Sequence, residues 1–214
     1  MKMNEYVFCK VKMLYVILKL CLICCLFVLF FSLLSGIKLS DLKTRNYYLL
    51  LGGNLGDRSY YFSSAISLIR ERIGVITATS SLYETEPWGF NHKNWFLNQV
   101  LKISSSLLPA EVLKIIHSIE EELGRKRTIT RYRSRNIDID ILFVDEEIYY
   151  SANLVIPHPR LHRRNFALLP LLEIAPTLRH PLLNMSVEEL KEKCKDTMEV
   201  NLYKPAITGK KNNR

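Results

Sequence analysis

Beyond residue 25 the chain has a single cysteine, Cys194; the other four, Cys9, Cys21, Cys24 and Cys25, crowd the first 25 positions. No disulfide framework can form within the body, which therefore reads as a domain of a reducing compartment. Glycine and proline number 8 each without clustering, and there is no internal repeat, Pro/Gly/Ser linker or long charge block, which excludes fibrous, low-complexity and disordered classes. The P-loop pattern is missing, and so is a kinase-like glycine loop with its lysine. Acid is in deficit: Lys+Arg 30 against Asp+Glu 21 gives +9, the sign of a surface that attracts the phosphates of a nucleotide, a nucleic acid or a membrane. Five lysines against Glu5 in residues 1–39 carry nearly half of that excess, leaving 25 basic and 20 acidic groups in residues 40–214. What is present is 214 residues at 48% apolar content, enough for one domain with a real core.

From Leu20 to Leu34 the chain is apolar except for Ser32, and Leu14 to Leu18 extends the stretch through Lys19 to roughly 20 residues, about a bilayer's thickness in helix. A signal anchor and a wrongly extended start of translation both fit this leader. A cleaved signal peptide fits less well, since Leu33 and Leu34 stand where small residues would precede the cut. Lysines flank both sides, so orientation is only weakly set. The expected division is a hydrophobic leader over 1–44, a domain over 45–203 and a basic polar tail over 204–214, with the domain cytoplasmic and membrane-bound only if the leader is genuine.

Tyr47 to Leu51 predicts a strand ending in the tight turn Gly52-Gly53-Asn54-Leu55-Gly56-Asp57, whose Asp57 caps a helix through Ile66, Ile69 and Ile73, closed by Gly74. Val75 to Tyr83 and Phe96 to Ile103 predict two further strands. Pro109 opens a helix whose Val112, Ile115, Ile116, Ile119 and Leu123 form the stripe of a half-buried face, stopped at Gly124. Ile137 to Val144 predicts the fourth strand; Phe166 to Ile174 and Ser186 to Lys193 predict helices, the second with a Ser186/Glu189 capping box. The order β-α-β-β-α-β predicts an α+β, ferredoxin-like antiparallel sheet with helices on one face and two further C-terminal helices after it.

The most informative segment is Asn136-Ile137-Asp138-Ile139-Asp140-Ile141-Leu142-Phe143. Alternation on a strand sends Ile137, Ile139 and Ile141 to the core and projects Asp138 and Asp140 together from the other face. Such a pair suits Mg²⁺, which takes one or two carboxylates and completes its octahedron with water and phosphate oxygens. Read alone, the segment fits an amphipathic edge strand with a solvated acidic face better than a metal site. Directly before it, Arg125, Lys126, Arg127, Arg131, Arg133 and Arg135 place six cations in eleven residues without an acid. That juxtaposition fits polyphosphate binding, since arginine forks match phosphate oxygens. A solvated surface or a nucleic-acid footprint is the alternative, and a membrane-anchored nucleic-acid module would bind any duplex in a strongly salt-dependent way without needing Asp138. Three more groups exceed what a core needs: the aromatic turn Tyr83-Glu84-Thr85-Glu86-Pro87-Trp88-Gly89-Phe90, the pair Phe96 and Asn98 on one strand face, and Ile156-Pro157-His158-Pro159-Arg160 with Arg163-Arg164-Asn165-Phe166.

On these residues, from about Tyr47 to about Cys194, the chain resembles the 6-hydroxymethyl-7,8-dihydropterin pyrophosphokinase family of folate biosynthesis. Five ordered blocks carry the resemblance: Leu51 to Asp57, Tyr83 to Gly89, Gly124-Arg125 with Arg131, Arg135 and Ile137 to Leu142, Pro157-His158 with Arg164 and Phe166, and Pro170-Leu171 with Glu173 to Pro176. The resemblance implies transfer of the β,γ-pyrophosphoryl group of ATP to the pterin hydroxymethyl oxygen, giving AMP and the pterin diphosphate, with no nucleic-acid partner. It implies two Mg²⁺ on Asp138 and Asp140, with Arg125 and Arg135 gripping the transferring phosphates. Arg127, His158 and Arg164 would be further phosphate contacts, and Glu120 and Ile141 nucleotide contacts. The pterin would stack between Phe96 and Phe166, its polar edge read by Asn98, Thr85 and the Trp88 backbone. Two departures stand out: Tyr132-Arg133-Ser134 replaces a common Trp-Gly-Pro triplet, and Pro159 replaces an aromatic.

Overall fold

The first strand explains most of the architecture. In the computed structural model, which describes residues 43–86, 95–125 and 135–204, β1 (Arg45–Gly53) runs antiparallel to β4 (Phe96–Ser105) on one side and to β5 (Asp138–Val144) on the other. The leader, Trp88, Arg127, Tyr132-Arg133-Ser134 and residues 205–214 lie outside the described residues. Side chains from Tyr47 to Leu51 are all buried, because layers of helix cover both faces of the sheet. A strand in that position reads as a continuous apolar run rather than an alternation.

On one face pack α1 (Arg58–Arg72), through Phe62, Ala65 and Ile69, and α2 (Pro109–Glu122), through Val112, Ile116 and Ile119. They meet Tyr47, Leu49, Leu51, Ile139 and Ile141. Asp57 caps α1 as its position predicts, its carboxylate accepting from the Tyr60 amide at 3.0 Å. The other face is covered by α3 (Asn165–Ile174) and α4 (Val187–Glu192), with Leu168, Leu171, Val187 and Leu190 against Tyr48, Leu50, Val100 and Leu142. The two further C-terminal helices that the sequence pattern predicts, without a place for them, form the second cover of the sheet. Each large side chain in these layers contributes roughly 1.5–3 kcal/mol by leaving water. The capping box that opens α4 forms as read, the Ser186 hydroxyl accepting from the Glu189 amide at 3.1 Å.

The stretch Val75 to Tyr83 is two strands, β2 (Val75–Thr79) and β3 (Tyr83–Thr85), both paired with β4. Between them the buried Ser80 hydroxyl accepts from the Val100 amide at 2.9 Å, a ladder bond that backbone would otherwise receive. A side chain standing in for a carbonyl interrupts the strand without leaving β4 unsatisfied. The last described strand, β10 (Val200–Leu202), is added to the side of β3 away from β4, so the main sheet runs β10-β3-β4-β1-β5. Two small hairpins, β6 (Tyr149–Tyr150) with β7 (Val155–Ile156) and β8 (Arg179–His180) with β9 (Met185–Ser186), complete the described strands.

Two local devices set up one end of the sheet. Leu49 pairs with Ile141 and Tyr48 with Phe143, so Leu142 is the extra residue of a bulge, and its carbonyl accepts from the His158 amide at 2.9 Å. At the end of β1, the Arg135 carbonyl accepts from the Asn54 and Leu55 amides at 2.9 and 3.1 Å, while Asn54 Oδ1 accepts from the Arg135 amide at 2.9 Å. The approach is so close that a Cβ on Gly53 would lie 2.3 Å from the Asn136 carbonyl oxygen. Gly53→Ala is therefore expected to cost about 1–3 kcal/mol, read as a lower urea midpoint with an unchanged slope. A midpoint equal to that of the wild type would show that the Arg135–Asn136 backbone yields freely.

Candidate active site

The pairing register brings the chemistry-bearing residues into rows. Asn98, Gly52 and Asp138 lie opposite one another across β4, β1 and β5, and Val100, Leu50 and Asp140 form the next row on the same face. Gly52 leaves the floor between the Asn98 amide and the Asp138 carboxylate open. Over this floor lies a cleft of about 1270 Å³, walled on the far side by Arg164 and Phe166 at the start of α3.

One end of the cleft is ionic. Alternation places Asp138 and Asp140 on the cleft face while Ile137, Ile139 and Ile141 are buried on the helix-covered side, as the strand pattern requires. Asp138 Oδ1 lies 2.6 Å from the Arg125 guanidinium, and its Oδ2 is paired with Arg135. Burial, and then the neighbouring Asp138 charge, push the Asp140 carboxyl up to about 6 despite Arg164, Arg135 and Arg125. A further cation beside it would favour its ionised form. Among the described residues no cluster of three or more His, Cys, Asp or Glu is arranged to hold a metal unaided. Two hard carboxylates beside several phosphate-binding cations nevertheless form the donor set that Mg²⁺ uses when phosphate oxygens and water complete its shell. The residues present fit that ion.

His158 is positioned by the Leu142 bulge, and its Nδ1 accepts from the Arg160 amide at 3.3 Å, which leaves the proton of the neutral ring on Nε2. Burial, then Arg164 and Arg160, lower its pKa to about 4, so at neutral pH it offers a neutral N–H donor.

The other end is aromatic and amide-lined. Phe96 and Phe166 both line the cleft, as do Thr85 and Asn98. The buried Asn98 Nδ2 donates to Thr85 Oγ1 at 2.9 Å, and the Arg164 guanidinium carbon lies 5.6 Å from the Phe166 ring centre. The structure thus gathers Thr85, Phe96, Asn98, Arg125, Arg135, Asp138, Asp140, His158, Arg164 and Phe166 around one cavity.

Two residues read as nucleotide contacts are not brought to it. Ile141 is packed in the core beneath α1 and α2. Glu120, 1% exposed, accepts from the Ile139 amide at 2.9 Å and pairs with Arg125 through the same oxygen, while Oε2 has no hydrogen-bond partner among the described residues. Its burial and the Asp138 charge push it up to about 7, against the pull of Arg125. It lies behind Arg125 rather than in the cleft.

The cleft also has a wall that the sequence pattern did not indicate, formed by Lys193, Lys195, Asp196 and Met198. They arrive only because the chain returns past α3 on its way to β10, and no local motif marks them.

The family model of 7,8-dihydro-6-hydroxymethylpterin-pyrophosphokinase matches residues 48–176. Among curated proteins, a 2-amino-4-hydroxy-6-hydroxymethyldihydropteridine pyrophosphokinase of Aquifex aeolicus is 43% identical over 144 residues, 67% of this chain and 89% of the relative. Its namesake from Bacillus subtilis is 42% identical over 128 residues, 59% of this chain and 76% of the relative. Among solved structures, a wild-type HPPK-DHPS of Plasmodium falciparum with pteroate superposes with a TM-score of 0.59 at 19% identity. That match covers 71% of this chain but only 44% of the solved one, and at this identity it speaks for the fold alone.

Proposed function

Since the chain belongs to the 7,8-dihydro-6-hydroxymethylpterin-pyrophosphokinase family, and is an ATP-dependent pyrophosphokinase of folate biosynthesis, we propose that its cleft transfers the β,γ-pyrophosphoryl group of ATP to the hydroxymethyl oxygen of 6-hydroxymethyl-7,8-dihydropterin. The oxygen bonds to the β-phosphorus, the bond between that phosphorus and the α–β bridging oxygen breaks, AMP leaves, and the hydroxyl proton is released. The observation that carries this reading is the single floor Asn98-Gly52-Asp138, which joins a flat, aromatic, amide-lined end to an ionic end across one strand register. It supports a ring bound at one end with its reactive substituent directed at phosphates held at the other.

The chain's own residues divide the work by chemistry. Phe96 and Phe166 supply apolar faces for a flat ring, and Asn98 and Thr85 supply hydrogen bonds to its polar edge. Arg125, Arg135 and Arg164 supply guanidinium forks for the phosphates, and neutral His158 supplies one donor without adding charge. Asp138 and Asp140 would hold Mg²⁺, with two ions expected. When bound, the metal would supply positive charge to offset the negative charge that builds on the phosphates during transfer. We infer that the fold deserves the ferredoxin-like description as well: with β2 and β3 counted as one interrupted strand, the order is 4-1-3-2, and α1 and α2 cross one face.

Among the described residues no helix is long and apolar enough to cross a membrane, and the hydrophobic leader lies outside them. The division at about residue 44 remains part of the proposal, as does a reducing compartment for the domain.

The ring assignment is tested by Phe166→Ala. Loss of one stacking face should weaken binding of the pterin by roughly 10- to 100-fold while ATP affinity stays within about threefold, measured by titration calorimetry with each ligand. Equal losses for both ligands would contradict the two-ended cleft.

A further inference from the structure

Helix α3 carries Phe166 in its first turn, yet that turn has no cap of its own. Its N-cap residue, Arg164, makes no side-chain capping hydrogen bond, and there is no acidic residue in the first turn. The Ala167 and Leu168 amides bond back to the Arg164 carbonyl at 3.1 and 3.0 Å. The Asn165 amide is satisfied from 31 residues further along the chain: it donates to Asp196 Oδ2 at 2.8 Å. The other oxygen of the same carboxylate accepts from the Met198 amide at 3.1 Å, and Asn165 Nδ2 reaches the Met198 carbonyl at 3.4 Å. A carboxylate at a helix N-terminus satisfies an orphan amide and complements the helix dipole.

The same short segment then continues into β10, where Val200 pairs with Thr85 and Leu202 with Tyr83. The Tyr203 amide donates to the Leu82 carbonyl at 2.9 Å. Residues 196–203 therefore tie the helix that carries Phe166 to the strand that carries Thr85, which are two sides of the aromatic end of the cleft. Asp196 and Met198 line that cleft themselves.

We propose that Asp196 is a positioning residue for the pterin: as a cap supplied by the returning chain, it holds the first turn of α3, and with it the Phe166 ring, in the stacking position. The proposal rests on the reading of Phe166 as a pterin face. It goes beyond it in assigning the C-terminal segment a part in substrate affinity. Without the cap the first turn frays, Phe166 samples other positions, and the cost falls on the pterin. The phosphates are spared because Arg164 shares them with Arg125, Arg135 and His158.

The test uses the full chain with Asp196→Ala and Asp196→Asn. Steady-state AMP formation, with the pterin and ATP varied in turn, should show the pterin KM of Asp196→Ala raised about fivefold, the scale of a lost helix cap. The ATP KM and kcat should stay within about twofold. Asp196→Asn, which keeps one acceptor oxygen, should fall between this variant and the wild type. Hydrogen exchange at the Asn165 and Phe166 amides should accelerate in both variants, ahead of the rest of α3. A merely structural role would lower kcat through the active fraction and leave the pterin KM alone, and that result would overturn the proposal. So would a wild-type pterin KM in Asp196→Ala. If Asp196→Ala does not fold, unchanged exchange at Asn165 in Asp196→Asn would overturn it as well. Failure of the underlying reading looks different: Phe166→Ala itself would then leave the pterin KM at the wild-type value.

Discussion

Replacing Asp138 or Asp140 with alanine is expected to lower AMP formation by about a thousandfold or more, since several kcal/mol of transition-state charge stabilisation leave with the metal. The fold should survive, because both side chains face the cleft while Ile137, Ile139 and Ile141 keep their packing on the opposite side. Asp140 offers a sharper form of the same test. Burial and the Asp138 charge push its carboxyl up to about 6 from the ordinary aspartate value of 3.8, so between those values the folded protein binds a proton that the unfolded chain releases. The ionised carboxylate therefore destabilises the metal-free fold at pH 7.5, and that penalty disappears as the pH falls from about 6 to about 4. In chelator at pH 7.5, Asp140→Asn should melt at or above the wild-type temperature, with the advantage shrinking toward pH 4. A variant that melts lower at pH 7.5 yet turns over like the wild type would remove Asp140 from the metal site.

Arg125→Ala is expected to reduce kcat by about a hundredfold, the scale of one preorganised donor lost at developing charge, while the ATP dissociation constant changes by no more than a few fold. The argument is one of timing. Without phosphates, Arg125 is held by Asp138 at 2.6 Å and by the buried Glu120 behind it. Ground-state phosphates must compete with those carboxylates for the guanidinium, so its contact strengthens only as transfer builds charge. Only contacts stronger in the transition state raise turnover. Quench-flow kinetics together with equilibrium ATP binding separates the two quantities. A parallel loss in both would make Arg125 an ordinary binding residue.

The parts of the site that could be read in advance are those encoded by short-range periodicity. Asp138 and Asp140 on one face of a strand and the caps at Asp57 and Ser186 each follow from a rule spanning a few residues, and the structure bears them out. What escaped were arrangements between distant segments. Ser80 breaks a strand because its hydroxyl meets Val100, 20 residues away. Asn54, fully buried, looks like a turn residue until Arg135, 81 residues on, supplies its partner. Asp196 resembles any surface acid in a Lys-rich stretch until the chain brings it to the Asn165 amide. Glu120 and Ile141 make the same point: the resemblance assigns both to the nucleotide, and only the packing shows that the Glu120 side chain is paired with Arg125 and the Ile141 side chain sits in the core. Local pattern specifies which side chains share a face; loop closure and packing decide what they face.

The most direct measurement is AMP release from ATP by the wild-type protein, followed by chromatography with and without 6-hydroxymethyl-7,8-dihydropterin and with and without Mg²⁺. The account predicts AMP in amounts equal to the pterin diphosphate only when pterin and Mg²⁺ are both present, with no ADP formed. AMP that appears without the pterin, or turnover that persists in chelator, would contradict it.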